Sequence, residues 1–284
     1  SVHIDSISGA SSELHATLHN MELLVFNNKR DVLDLTTYFK SGTAGNDVFN
    51  APSTTLQYDG LAGIDTVYFS KARAAYTLTP SATGVTVSDG VAAGMLSHVE
   101  RLGFADGSKL ALDLDGHAGQ TAKILGAVFS PSAVANPAYV GIGLNLLDSG
   151  MRYDVLMQLA LDTALGANAS HRAVVDLLYT NVVGVAPSAS EAAAYVAVLD
   201  SGSLSPATLG VLAADLALNT DNIGLVVLAA VGLAFSRSAG GRQAQRACQR
   251  PAASPSTNDS SRSLSMCARS ERRATPCRPL GVSA

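Results

Sequence analysis

Gly42-Thr43-Ala44-Gly45-Asn46-Asp47-Val48-Phe49 returns 18 residues later as Gly60-Leu61-Ala62-Gly63-Ile64-Asp65-Thr66-Val67. Both phrases follow the template G-x-x-G-x-D-x-U, in which U is apolar. Such a nonapeptide makes one turn and one short strand, so two in succession complete one coil of a parallel β-roll. Loops 18 residues apart then stack on the same edge, which sets strand direction and register together. The intervening phrase, residues 51–59, lacks the glycines and the aspartate but keeps Tyr58 at the apolar position. The coil register is expected to survive there, with the ligands of the opposite edge lost.

These residue types carry a chemistry. Glycine at the first and fourth positions permits positive φ and lets backbone carbonyls converge. Aspartate at the sixth adds a hard carboxylate oxygen, and Ca²⁺ takes six to eight oxygens at about 2.3–2.6 Å. One calcium site is expected between the two loops. Its carboxylates are Asp47 and Asp65, and its carbonyl donors come from Gly42, Ala44, Gly45, Gly60, Ala62 and Gly63. The eighth-position residues, Phe49 and Val67, are expected to point into the coil. Either phrase alone reads as an ordinary glycine-rich turn; the register of the pair favours calcium.

The formal net charge of −4 conceals a division: residues 1–235 carry −11 and residues 236–284 carry +7. An acidic body suits a divalent cation and argues against nucleic acid as a partner. Apolar residues make up 47% of the chain, yet there is no Trp and aromatics are 5%, which predicts a core packed by small side chains. The opening Ser-Val-His-Ile shows no signal-peptide pattern. The most apolar run, Ile223 to Phe235, is too short to span a bilayer and is expected to be a buried helix.

Two further repeats organise the body. Asn20 to Phe26 parallels His98 to Phe104, Val32 to Leu35 parallels Ala111 to Leu114, and Val2 to Asp5 matches Val85 to Ser88. Each copy reads as strand, loop, short strand and turn over about 78 residues. The first copy begins at its middle, which predicts a piece of a longer protein. After Gly116 the period changes from 2 to 3.6. Helices are expected over 122–129, about 138–148 and about 152–164, where Tyr153, Leu156, Met157 and Leu161 share a face. The series recurs: 171–183 parallels 117–129, 206–218 parallels 152–164, and Leu147-Asp148-Ser149-Gly150 returns as Leu199-Asp200-Ser201-Gly202. Each glycine of that phrase is expected just past a helix C-terminus.

The expected segments are a partial first β repeat over 1–40, the coil and second β repeat over 41–116, an all-α tandem-repeat domain over 117–235, and a tail over 236–284. The tail has nine Arg, no Lys and all three cysteines, Cys248, Cys267 and Cys277. A basic nucleic-acid-binding tail is one account of it. Out-of-frame translation of a GC-rich gene explains the composition better, and the tail is then disordered. The fold class is accordingly α+β: an N-terminal β-rich region with a short calcium-binding β-roll coil, followed by all-α tandem repeats.

Gly42 to Val67 resembles the RTX, or hemolysin-type, calcium-binding repeat. Val99-Glu100-Arg101-Leu102-Gly103-Phe104-Ala105-Asp106-Gly107, with Asp113-Leu114-Asp115-Gly116-His117-Ala118-Gly119-Gln120 after it, resembles the lead-in to a helical domain of unknown function common in secreted bacterial RTX proteins. Residues 117–235 are similar to that domain, and the resemblance covers about 20–235. The family's Tyr-Trp pair is replaced by Tyr139-Val140 and Tyr195-Val196, and its Arg-x-Pro-Asp turn by Val185-Ala186-Pro187-Ser188. The resemblance implies one-step (type I) bacterial export without an N-terminal signal, then folding on external calcium. It also implies an extracellular location, with cell-surface polysaccharide or protein as a partner of the helical part.

No catalytic pattern is legible: H-E-x-x-H, G-x-S-x-G, a Walker loop and C-x-x-C are all missing from the sequence. His15 and His19 stand four apart without a clear carboxylate partner and read as loop histidines. Asp113, Asp115 and Gly116 fit either a small D-x-D-G calcium loop or a turn entering the first helix, and the turn is the plainer account. The expected function is calcium-dependent folding and display outside the cell, not catalysis. A trailing accessory part of a secreted protease, lipase or glycosidase is the first alternative, and an adhesin or surface-layer component the second.

Overall fold

The computed structural model describes residues 23–26, 31–34, 39–51 and 57–236. The expected strand Val2–Asp5, the histidines at 3, 15 and 19, and the tail with its three cysteines lie outside the described residues. The architecture is mixed: two five-stranded sheets, a separate hairpin and eight α-helices among the described residues. In the hairpin, β1 (Leu23–Phe26) and β2 (Asp31–Asp34) pair antiparallel.

From Phe39 the chain passes alternately between the two sheets. Strand β3 (Phe39–Ser41) pairs in parallel with β5 (Gln57–Asp59) in one sheet, and β4 (Val48–Ala51) with β6 (Thr66–Phe69) in the other. The register is Phe39 to Gln57 and Val48 to Thr66, the 18-residue spacing expected of the two phrases. An antiparallel meander then intervenes: β7 (Thr77–Ser81), β8 (Gly84–Ser88) and β9 (Ala93–Ser97). Strand β9 joins β5 in parallel, and β10 (Arg101–Gly103) joins β6 in parallel, so a third tier forms on the first two. Antiparallel β11 (Lys109–Ala111) follows β10, as β2 follows β1.

The inward positions of both sheets meet in one core. Val67 is fully buried, Tyr58 nearly so, and Phe49 packs on the same cluster, as the eighth-position rule requires. Phe69, Tyr76 and Phe104 close it as an aromatic group with ring centroids 4.9–5.9 Å apart.

Helix α1 (His117–Phe129) is the hub of the helical part. It packs on α2 (Pro137–Asp148), α3 (Tyr153–Leu165), α4 (His171–Val183) and α6 (Pro206–Ala214), with α5 (Ala189–Asp200) on α4. Small residues allow these close crossings. A Cβ on Gly143 of α2 would strike the Thr121 side chain of α1, and one on Gly210 of α6 would stand 2.7 Å from the Met157 sulfur of α3. Serine caps start several helices: Ser170, Ser188 and Ser205 each accept the N–H three residues on. Ser188, which ends the variant turn, forms a capping box with Glu191. Gly150 and Gly202 lie just past α2 and α5 with φ of 93° and 72°.

Two helical expectations are corrected. The helix expected over 206–218 stops at Ala214, and α7 (Ala217–Asn222) starts afresh. The Asn219 amide donates to the Ala214 carbonyl at 2.7 Å, taking the acceptor that a continuing helix would have used. The apolar run from Ile223 to Phe235 is not a buried helix. Its α8 (Leu225–Val231) leaves Val226 and Val227 exposed, and Gly232 at φ 79° ends it. The chain then turns back as β12 (Leu233–Ala234) onto β11, so the stretch 117–235 is not wholly α-helical. Burial is supplied by Leu233 in the sheet. Among the described residues no helix is long and apolar enough to cross a membrane.

One buried cation ties strands to helices. Arg101, 4% exposed, donates from one terminal nitrogen to Asp113 and from the other to Asp148 at 2.8 Å, which also holds His117 Nδ1 at 2.8 Å. Asp113 therefore belongs to the turn entering α1: its second oxygen faces the Ala118 N–H at 3.4 Å.

Candidate cation site in a carboxylate ladder

Three turns cross between the sheets in successive tiers: 42–47, 60–65 and 98–100. Asp47, Asp65 and Glu100 each close one turn, immediately before β4, β6 and β10. Parallel pairing puts them in register, and their carboxylates follow it. The Asp47 N–H donates to Asp65 Oδ1 at 2.7 Å, and the Asp65 N–H donates to Glu100 Oε2 at 2.7 Å. The Asp65 and Glu100 carboxylates thus each accept the backbone N–H of the rung outside them.

The rungs differ in burial. Asp65 is fully buried, and its Oδ2 has no hydrogen-bond partner. Asp47 sits at the partly exposed outer rung, where its Oδ2 accepts the Thr43 N–H at 2.6 Å and the Thr43 hydroxyl at 2.9 Å. Burial pushes the Asp65 carboxyl above the usual carboxylate range; the Asp47 N–H opposes this, and the negative charges of Asp47 and Asp59 add to it. Glu100 is likewise raised, first by burial and then by Asp65 and Asp113. A stack of carboxylates, one with a buried free oxygen, is the environment a hard cation relieves.

Glycine is required by close approach at two places. A Cβ on Gly60 would strike the His98 carbonyl and Asp65 Oδ2. Gly63, at φ 128°, would place one 2.7 Å from the Gly45 carbonyl. The turns therefore stack carbonyl against glycine, with the Asn46 side chain accepting the Ile64 N–H at 2.9 Å to lock the outer pair.

Of the sequence-predicted residues, Asp47 and Asp65 meet directly, and Gly45 meets Gly63. The Gly60 carbonyl lies 2.6 Å from a Cβ built on Gly42. Ala44 and Ala62 stand exposed on their turns. Among the described residues no three His, Cys, Asp or Glu side chains gather as a metal-binding group. A cation here would draw on the carbonyls as much as on the carboxylates. What the turns offer such an ion is one buried, unpartnered carboxylate oxygen on Asp65 beside crowded glycine turns.

Glu100 was not legible as a rung. It follows Asp65 by 35 residues, not 18, because the β7–β8 hairpin interrupts the coil. The available signal was the apolar pair Met95-Leu96 shortly before Val99-Glu100-Arg101, a strand entering another turn. Compared with known proteins, the chain matches no family model, no curated protein and no solved structure.

Proposed function

We propose that this chain is an extracellular calcium-binding structural protein whose coil orders on calcium after one-step export. Asp47 and Asp65 would hold the ion with the carbonyls of Gly42, Ala44, Gly45, Gly60, Ala62 and Gly63, and Glu100 would complete the inner rung. When bound, calcium supplies positive charge and six to eight oxygen contacts to groups that otherwise repel one another. The observation that carries the reading is the buried, unpartnered Asp65 Oδ2, on a carboxylate whose backbone neighbours in the tiers are Asp47 and Glu100. The 18-residue parallel register supports the β-roll part of it.

The role is display rather than catalysis. The helical part, with His117–Asp148 echoed by His171–Asp200, supports a tandem-repeat reading and would present the surface for a cell-surface polysaccharide or protein.

The test is a calcium titration of the chain followed by far-UV circular dichroism, with magnesium as control. A saturable gain of β signal with calcium alone is expected, and its loss in Asp47→Ala/Asp65→Ala. An unchanged gain in that double variant sinks the proposal.

A further inference from the structure

The two sheets are closed at one end of the stack of tiers and open at the other. Inward, β9 continues into antiparallel β8, and β10 into antiparallel β11. Outward, β3 and β4 are the last strands of their sheets, and among the described residues nothing pairs on their outer sides. The turn 42–47 joins them, so both edges belong to one tier. Phe39 and Val48 on these strands are 43% and 64% exposed. Two such edges present rows of unpaired N–H and C=O groups, a template for another pair of strands.

Glycine spacing says what fits there. The first-position glycines face the tier inside. A Cβ on Gly60 would strike the His98 carbonyl, and one on Gly42 would lie 2.6 Å from the Gly60 carbonyl. The fourth-position glycine faces the tier outside, since a Cβ on Gly63 would lie 2.7 Å from the Gly45 carbonyl. Gly45 holds that fourth position in the outermost tier. A Cβ there would meet only the Thr43 hydroxyl, at an ordinary 3.7 Å, and its φ is not left-handed. Neither packing nor backbone conformation among the described residues calls for glycine at 45. A carbonyl pressed on it from a further tier does, as the Gly45 carbonyl presses on Gly63. The chain's own preceding sequence does not supply that tier in register. Eighteen residues before Gly42, Gly45 and Asp47 stand Leu24, Asn27 and Lys29, while β1 and β2 pair with each other.

We infer that the β3–β4 face docks a coil of another polypeptide, built on the same G-x-x-G-x-D-x-U phrase, whose two strands add in parallel to β3 and β4. Its first-position glycine lies over the Gly42 carbonyl and a carbonyl of its turn over Gly45, repeating the contacts between the first two tiers. Strand register and glycine spacing carry this inference, and no bound ion enters it.

The test is fluorescence anisotropy of a labelled synthetic peptide of residues 39–51, titrated with the full chain in calcium-containing buffer. That peptide holds one strand for each sheet and the turn between them. Saturable binding is expected. Gly45→Ala in the chain should weaken it about tenfold or more, because two backbones in close approach cannot absorb an added methyl group. The thermal unfolding midpoint of that variant should not move; a lowered midpoint would return Gly45 to the fold itself and overturn the inference. A peptide carrying Gly42→Ala should bind as weakly, with the chain left untouched. No saturable binding overturns the inference, as does binding indifferent to Gly45→Ala. So does a chain that sediments as a dimer and becomes monomeric with Gly45→Ala, which gives the face to a second copy.

Discussion

Two successive helix triplets, α1 to α3 and α4 to α6, are built on the same contact. His117 opens the first and grips Asp148 at the end of α2 at 2.8 Å; His171 opens the second and grips Asp200 at the end of α5 at 2.6 Å. Each aspartate precedes a Ser-Gly helix stop, and Ser149 and Ser201 donate to carbonyls three residues back. Their surroundings diverge. Asp148 also receives the buried Arg101 from β10, whereas the Asp200 side chain is 64% exposed with His171 as its partner. A local motif of helix start and stop can therefore be used twice with very different energetic weight. The weight comes from what packs over it, and only the first triplet meets the sheet through a buried charge.

The sharpest way to break that comparison is Arg101→Ala. It leaves Asp113 and Asp148 facing each other without their cation, while Arg101 itself is only 5% exposed at the side chain. Removing one partner of a buried charge network costs about 3–5 kcal/mol. Urea denaturation should show that loss. A change below about 1 kcal/mol would mean that the first triplet is held no more firmly than the second.

A weaker effect separates the two by pH. Burial raises the Asp113 carboxyl against the opposing pull of Arg101. The folded state then holds that proton more tightly than the unfolded chain, so its contribution to stability is full below the ordinary aspartate value and lost as pH rises through the raised one. Glu191, in the capping box of α5, runs the other way. The Ser188 hydroxyl and N–H, and then the Tyr179 hydroxyl, hold it below its ordinary value. Its contribution is full above that ordinary value and lost as pH falls through the lowered one. Unfolding midpoints between pH 3 and 7 should therefore change slope in opposite senses in Asp113→Asn and Glu191→Gln. Slopes altered in the same sense would erase the distinction.

The sequence made the outer two tiers legible because turn chemistry and strand period coincide there: glycine where carbonyls crowd, aspartate before each strand, Phe49 and Val67 inward. It also located α1 to α3, whose apolar faces repeat at 3.6 residues and end at Ser130-Pro131 and Gly150. Glu100 was hidden because a hairpin spaces it off the 18-residue period, and register across a sheet is a tertiary fact. The break after Ala214 was hidden because it depends on one amide, Asn219, reaching back to a carbonyl. The run ending in Phe235 was misread because hydropathy alone does not separate a buried helix from a strand that returns to a sheet. Two glycines, Gly224 and Gly232, mark the ends of α8 at positive φ, and their presence at both ends of the run was the signal to weigh.

The smallest effect tests whether the shared contact has any weight of its own. Asp200→Asn keeps the shape of the side chain and removes its charge from His171, at a position mostly open to solvent. Exposed pairs of this kind contribute about 0.2–1 kcal/mol, so the loss should lie near the lower end of that range. A double-mutant cycle with His171→Gln isolates the coupling from capping, because Ser201 and Gly202 remain to end the helix. Near-zero coupling would assign the end of α5 to the serine and glycine alone. The same cycle at His117 and Asp148 should give a larger value, since Arg101 draws Asp148 out of solvent and strengthens every charge it meets there.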